Sequence, residues 1–175
     1  MTAGSTIRRL AFLAVFQLDA RPDLGDEELA ASVLNIDDPS LVSITPAQQA
    51  AAWSLAREAF ADRKRCDDVM RHLSPTWPAY RQAAVDRALL RLAHYEITSG
   101  KASVALAIDS AVELAKEFST EKAPGFINAL LDAAAKRMAE KRSAKAERGA
   151  AAPDDAGNSA GPETPSTQPG GPEPA

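Results

Sequence analysis

The residues best placed for chemistry lie in the segment VDRALLRLAHYEI, Val85 to Ile97, where two arginines, a histidine and a glutamate interrupt an apolar run. Three kinds of chemistry use such groups. An imidazole beside a carboxylate can move protons, two guanidiniums can hold phosphates, and all four can form the wet edge of a packed helix. Spacing favours the last. Arg87 and Arg91 are four apart, so they share a helix face next to the stripe Val85, Ala88, Leu89, Leu92 and Ala93. They read as edge residues, with Asp109 and Glu113 on the following helix as expected partners. His94 has no cysteine or second histidine close by in sequence and reads as a satisfied interior or boundary residue.

Little else invites catalysis. Cys66 is the sole cysteine, which excludes an internal disulfide, and its place in DRKRCDDVM suits a small core residue. No Cys/His set has metal-ligand spacing. No glycine-rich phosphate loop follows a strand, and two isolated histidines form no readable triad. The expectation is a binding protein rather than an enzyme, with no cofactor and no metal.

Charge narrows what is bound. The net charge is −4, and residues 149–175 hold Asp154, Asp155, Glu163 and Glu173 with no basic residue, which leaves 1–148 near neutral. Nucleic-acid binding by bulk electrostatics requires a basic domain, so any such contact here is local or shared with a partner. Residues 149–175 also carry six of the twelve prolines and five of the nine glycines. That composition cannot offset the entropy of ordering and predicts a disordered acidic tail. Immediately before it, KRMAEKRSAKAER, Lys136 to Arg148, sets six basic residues against two acidic ones. This run reads as a solvated helix end, with a phosphate-facing extension as the alternative. Without a membrane-length apolar run or a signal-peptide pattern, the chain is expected to be soluble and cytoplasmic.

The elements that must position these residues are helices, because apolar periodicity is helical throughout and strand alternation is absent. The first helix is expected from an N-cap at Ser5 or Thr6, with Ile7, Leu10, Ala11, Ala14 and Leu18 on one stripe, ending before Pro22. A short helix over Glu27–Leu34 and a loop follow. In TPAQ, Thr45 is an N-cap, Pro46 the first helical residue and Gln48 the capping-box partner. That helix runs to about His72, with a bend or break allowed, and SPTWP ends it. Further helices are expected over Ala79–Ser99, Ser103–Phe118 and Pro124 to about Arg142. Six or seven helices with short connections make an all-α bundle.

Three of these segments, in order and at suitable spacing, resemble the NusB family of transcription antitermination proteins. VDRALLRLAHYEI is similar to its Val-x-x-Ala-x-Leu-Arg-x-Ala-x-Tyr-Glu-Leu signature, with Trp77 at the expected distance before it. AIDSAVELAKEF, Ala107 to Phe118, resembles Ile-Asn-Glu-Ala-Val-Glu-Leu-Ala-Lys-x-Phe, and FINALLDAAAKRM, from Phe126, resembles Phe-Val-Asn-Gly-Val-Leu-Asp. RRLAFLAVFQLDA, Arg8 to Ala20, is a weaker match to the family's first helix.

The resemblance implies a bundle of two small subdomains over residues 5–148. It also implies a function: binding boxA RNA of ribosomal RNA leader transcripts together with the small-subunit ribosomal protein NusE, within the antitermination complex of RNA polymerase. By the same resemblance RNA meets the arginine-bearing start of the first helix, here Arg8 and Arg9, and the region around the start of the last helix, here Lys122, Phe126 and Asn128. Family members often carry several arginines in a row at the start of that first helix. GSTIRR keeps two, which predicts weak RNA binding alone and stronger binding with NusE. Phe16 and Asp86 match the positions that face the protein partner. The competing expectation is a helical protein–protein adaptor without a direct RNA role. A NusB-like domain also accompanies rRNA cytosine methyltransferases, but no methyl-donor motif occurs here.

Overall fold

The computed structural model describes residues 2–35 and 38–150, except the side chains of 40 and 148–150. Among the described residues there are seven α-helices and no strand: α1 Ala3–Ala20, α2 Asp26–Leu34, α3 Pro46–Ala61, α4 Arg63–Leu73, α5 Ala84–Ser99, α6 Val104–Phe118 and α7 Ala123–Ala150. Short 3-10 turns cover Pro39–Leu41 and Ala79–Arg81. The all-α expectation is met. Residues 151–175, the greater part of the expected tail, lie outside the described residues, while Gly149 and Ala150 belong to α7.

Capping chemistry fixes several boundaries. Thr45 accepts a hydrogen bond from the Gln48 amide at 3.3 Å while Gln48 Oε1 accepts from the Thr45 amide at 2.9 Å, so both orphan donors are satisfied reciprocally. Ser103 accepts from the Leu106 amide and starts α6. The first helix begins earlier than expected, because Thr2 rather than Ser5 or Thr6 accepts from the Ser5 amide. Asp62 divides the expected long helix into α3 and α4. The signature helix starts at Ala84 rather than Ala79, the intervening residues forming one 3-10 turn behind Pro78. Gly100 ends α5 at φ 75°, a left-handed conformation that costs glycine least.

α1 packs on α2 and α3, α5 packs against α4, α6 and α7, and the contacts of α1 and α3 with α5 join the two groups. One contiguous apolar core runs through both. Its axis is α1, where every residue from Arg9 to Val15 is buried, along with Leu18. The expected single stripe was therefore too narrow: α1 is enclosed by neighbours and needs apolar residues nearly all round. Ala52, Ala56 and Ala59 on α3 are buried and small, which lets helix axes approach.

Candidate functional site

At the start of α1 both arginines are engaged by carboxylates. Arg8 donates its Nε to Glu96 of α5 at 2.8 Å. Arg9 donates its Nε to Asp38 at 2.5 Å and grips both oxygens of Glu117 of α6 with its terminal nitrogens. The same guanidinium lies 4.7 Å from the ring centroid of Phe118, which in turn meets Phe12 at 5.2 Å. With a side chain only 6% exposed, Arg9 is a fastener between α1, α6 and the loop after α2. Hydrogen bonding to Glu117, set against burial, holds its charge more firmly than in a free arginine. Burial pushes the Glu96 carboxyl above its ordinary value, with Arg8 working against that shift.

The arginines of the signature helix do not meet Asp109 and Glu113. Arg87 donates its Nε to Asp19 at 2.8 Å and its Nη1 to the carbonyls of Ala79 and Gln82. Arg91 bridges Asp19 at 2.5 Å and both oxygens of Asp67 at 2.7 and 2.9 Å. The chain Arg87–Asp19–Arg91–Asp67 thus ties α5 to α1 and α4. Burial opposes the Asp19 charge, yet hydrogen bonds from Arg87 and Arg91 hold its carboxyl below the ordinary value. Asp109 and Glu113 stand exposed on α6, Glu113 paired with Lys116 at 2.5 Å. His94 is interior as expected, but it is not satisfied: its Nδ1 is buried without a hydrogen-bond partner. Burial, aided by Arg65, lowers its pKa to about 4.

The residues assigned to the last helix come together in part. Lys122 and Phe126 line an open hollow with Trp77, Asp86, Thr120 and Ala123. Lys122 is exposed on the turn that enters α7, Phe126 is half-buried in its first turn, and Trp77 is 42% exposed on the far wall. The guanidinium of Arg81 sits 4.9 Å from the Trp77 ring centroid. Asn128 is exposed but stands about 200° round α7 from Phe126, so it does not line the hollow.

Asp86 lies in this same hollow rather than on a separate face. It is 8% exposed and accepts a hydrogen bond from Ser119 Oγ at 2.5 Å, which ties the first turn of α5 to the end of α6. Phe16 is half-buried on α1, packed against the core, and does not line the hollow. Sequence reasoning used Trp77 only as a spacing mark. The bracketing prolines of SPTWP, which hold the ring out of a helix, were the available sign that it would stay accessible.

Two flat faces and a cation therefore surround a cavity of about 270 Å³. An unpaired base can stack on such rings while an ammonium meets its phosphate. Among the described residues no group of three or more His, Cys, Asp or Glu side chains could hold a metal ion, and no helix is long and apolar enough to cross a membrane.

Comparison with known proteins bears on this geometry. The NusB family profile matches residues 5–136. A relative from Sulfurimonas denitrificans, named transcription antitermination protein NusB, is 37% identical over 130 residues, covering 74% of this chain and 96% of its own. The structure of T. maritima NusB aligns with a TM-score of 0.65 at 29% identity, covering 78% of this chain and 92% of that one. A crystal structure of antitermination factors NusB and NusE in complex with dsRNA contains a chain that aligns with a TM-score of 0.64 at 26% identity, covering 78% of this chain and 98% of that one.

Proposed function

Because the chain belongs to the NusB family of transcription antitermination proteins, we propose that it binds boxA-type RNA of ribosomal RNA leader transcripts jointly with the ribosomal protein NusE. In this role it is an adaptor: it holds an unpaired RNA stretch and a protein partner for the RNA polymerase antitermination complex, without chemistry of its own. The observation that carries this reading is the hollow of Trp77, Lys122 and Phe126, where stacking surfaces and a free cation adjoin. Its support from relatives is the solved assembly of NusB with NusE and dsRNA.

In this reading the residues divide their roles. Arg8 and Arg9 contribute indirectly, by setting α1 against α5 and α6, since Arg8 Nε is directed to Glu96 and the Arg9 guanidinium to Asp38 and Glu117. Lys122 and Phe126 make the RNA contact, Phe126 by stacking and Lys122 by charge, whereas Asn128, nearly opposite Phe126 on α7, does not reach the same base. Phe16, half-buried on α1, supplies apolar contact to the partner, whereas Asp86 holds the rim of the hollow through Ser119.

Titrating labelled boxA-type RNA by fluorescence anisotropy, with and without NusE, tests the proposal. Binding should be weak alone and tighten with NusE, and Phe126→Ala should weaken it by roughly tenfold, the value of about one lost base stack. The engagement of Arg8 and Arg9 favours the competing reading, an adaptor that touches protein only. RNA affinity that is undetectable even with NusE, alongside intact NusE binding, would establish that reading instead.

A further inference from the structure

Arginines and lysines in the body of the fold are mostly engaged. Arg8, Arg9, Arg57, Arg87 and Arg91 all hold carboxylates. The far half of α7 is different: Arg137, Lys141, Arg142 and Lys145 are exposed, and no described carboxylate lies within ion-pair distance of them. Two of the four, Arg137 and Lys141, line a groove of about 490 Å³ between α7 and α4.

The groove is built from two helical seams. Arg65, Val69 and His72 come from α4, and Arg137, Met138 and Lys141 from α7, each set spaced to fall on one side of its helix. Half-buried Val69 and Met138 form an apolar floor, and the cations stand along the edges. Arg65 reaches its nearest carboxylate, Asp62, only at 3.8 Å. The one carboxylate on the rim, Asp68, is engaged by Arg71 at 2.7 Å. His72 donates its Nδ1–H to the Asp68 carbonyl at 2.6 Å, which leaves Nε2 without a described partner.

Position along α7 supplies a direction. Phe126 and Arg137 are eleven residues apart, close to three whole turns, so they lie on one edge of the helix about 16 Å from each other. An RNA strand stacked at the hollow and following that edge arrives at the cations of the groove. The family match ends at residue 136, so Arg137, Met138 and Lys141 lie beyond it, while Ala134 of the groove lies within.

We propose that the groove between α4 and α7 is a second RNA site, in which Arg65, Arg137 and Lys141 hold the sugar–phosphate backbone of the strand whose base stacks in the Trp77–Phe126 hollow. Contact here is sequence-independent, since the groove offers charge and an apolar floor but few groups that could read a base edge. The inference rests on the RNA reading of the hollow.

The test measures affinity of the full chain with NusE for boxA-type RNA over a series of KCl concentrations. Arg137→Glu combined with Lys141→Glu should lower affinity roughly tenfold at low salt and make the salt slope shallower by about 1.4, two single-strand phosphate contacts at 0.7 each. The charge-keeping pair Arg137→Lys and Lys141→Arg should restore the slope. Both positions are exposed, so circular dichroism should be unchanged in every variant. Unchanged affinity and slope in the Glu pair, with Phe126→Ala still weakening RNA, would overturn the groove and leave the hollow standing. Loss of NusE binding with RNA affinity intact would assign the groove to protein and overturn it too. Failure of the wild-type chain to bind RNA at all would remove both sites.

Discussion

Removing the guanidinium of Arg91 would leave partly buried Asp67 without its cation and Asp19 with Arg87 alone. Breaking such a cluster costs more than the cluster contributes, because the stranded carboxylates keep their desolvation penalty. Arg91→Met should therefore lower the free energy of unfolding by about 3 kcal/mol, read from urea midpoints, whereas Glu113→Ala should change it by less than about 0.5 kcal/mol. Equal effects would return Glu113 to the role the sequence suggested. That suggestion failed for a physical reason: the true partners are Asp19, 68 and 72 residues from the two arginines, and Asp67, 24 residues from Arg91, and helical spacing carries no information at those ranges. His94 provides a second measurement. Its folded pKa of about 4 lies below the ordinary 6.5, so between those values the unfolded chain binds more protons. Stability conferred by the neutral ring is complete above pH 6.5 and is lost as pH falls toward 4. Unfolding free energy measured at pH 7 and pH 4.5 should drop more steeply for the wild type than for His94→Leu, by an amount on the order of 3 kcal/mol.

Helices were legible where a local signal marked them. Thr45, Pro46 and Gln48 announce α3 in four residues, and the capping box is present as spacing predicts. Thr45→Ala should lower stability by about 1 kcal/mol, with the melting temperature as readout, and Thr45→Ser should retain most of it. Where the chain instead bends within a run of good helix formers, as at Asp62, no punctuation marked the position and only a break in general terms could be foreseen. The end of α7 was missed for the complementary reason. Its alanines, lysines and arginines have high helix propensity, and the helix continues through them to Ala150 although no core contact rewards the last turns. The hollow was half legible: Lys122 and Phe126 came from the resemblance, while Trp77 and Asp86 joined them only through the packing of α5 against α6 and α7.

Across the whole molecule, the near-neutral charge of residues 1–148 conceals a strongly uneven distribution. Internal pairing consumes the arginines of α1 and α5. The densest run of cations without a described ion-pair partner is on α7 and the turn before it, with Arg21, Arg63, Lys64 and Arg81 scattered elsewhere. RNA affinity should then depend on salt with a slope set by Lys122, Arg65, Arg137 and Lys141, near −2.8 if all four contribute about 0.7 each. Neutralising Arg8, by contrast, should reduce stability rather than flatten that slope. The same pairing has a temporal side. Arg8 finds Glu96 at a separation of 88 residues, and Arg9 finds Glu117 at 108. The first helix can seat on α2 and α3, but its buried arginine has no clasp until the sixth helix has been synthesised. Closure of the bundle round α1 must wait for Glu117 to leave the exit tunnel, with part of an oily helix open to chaperones until then.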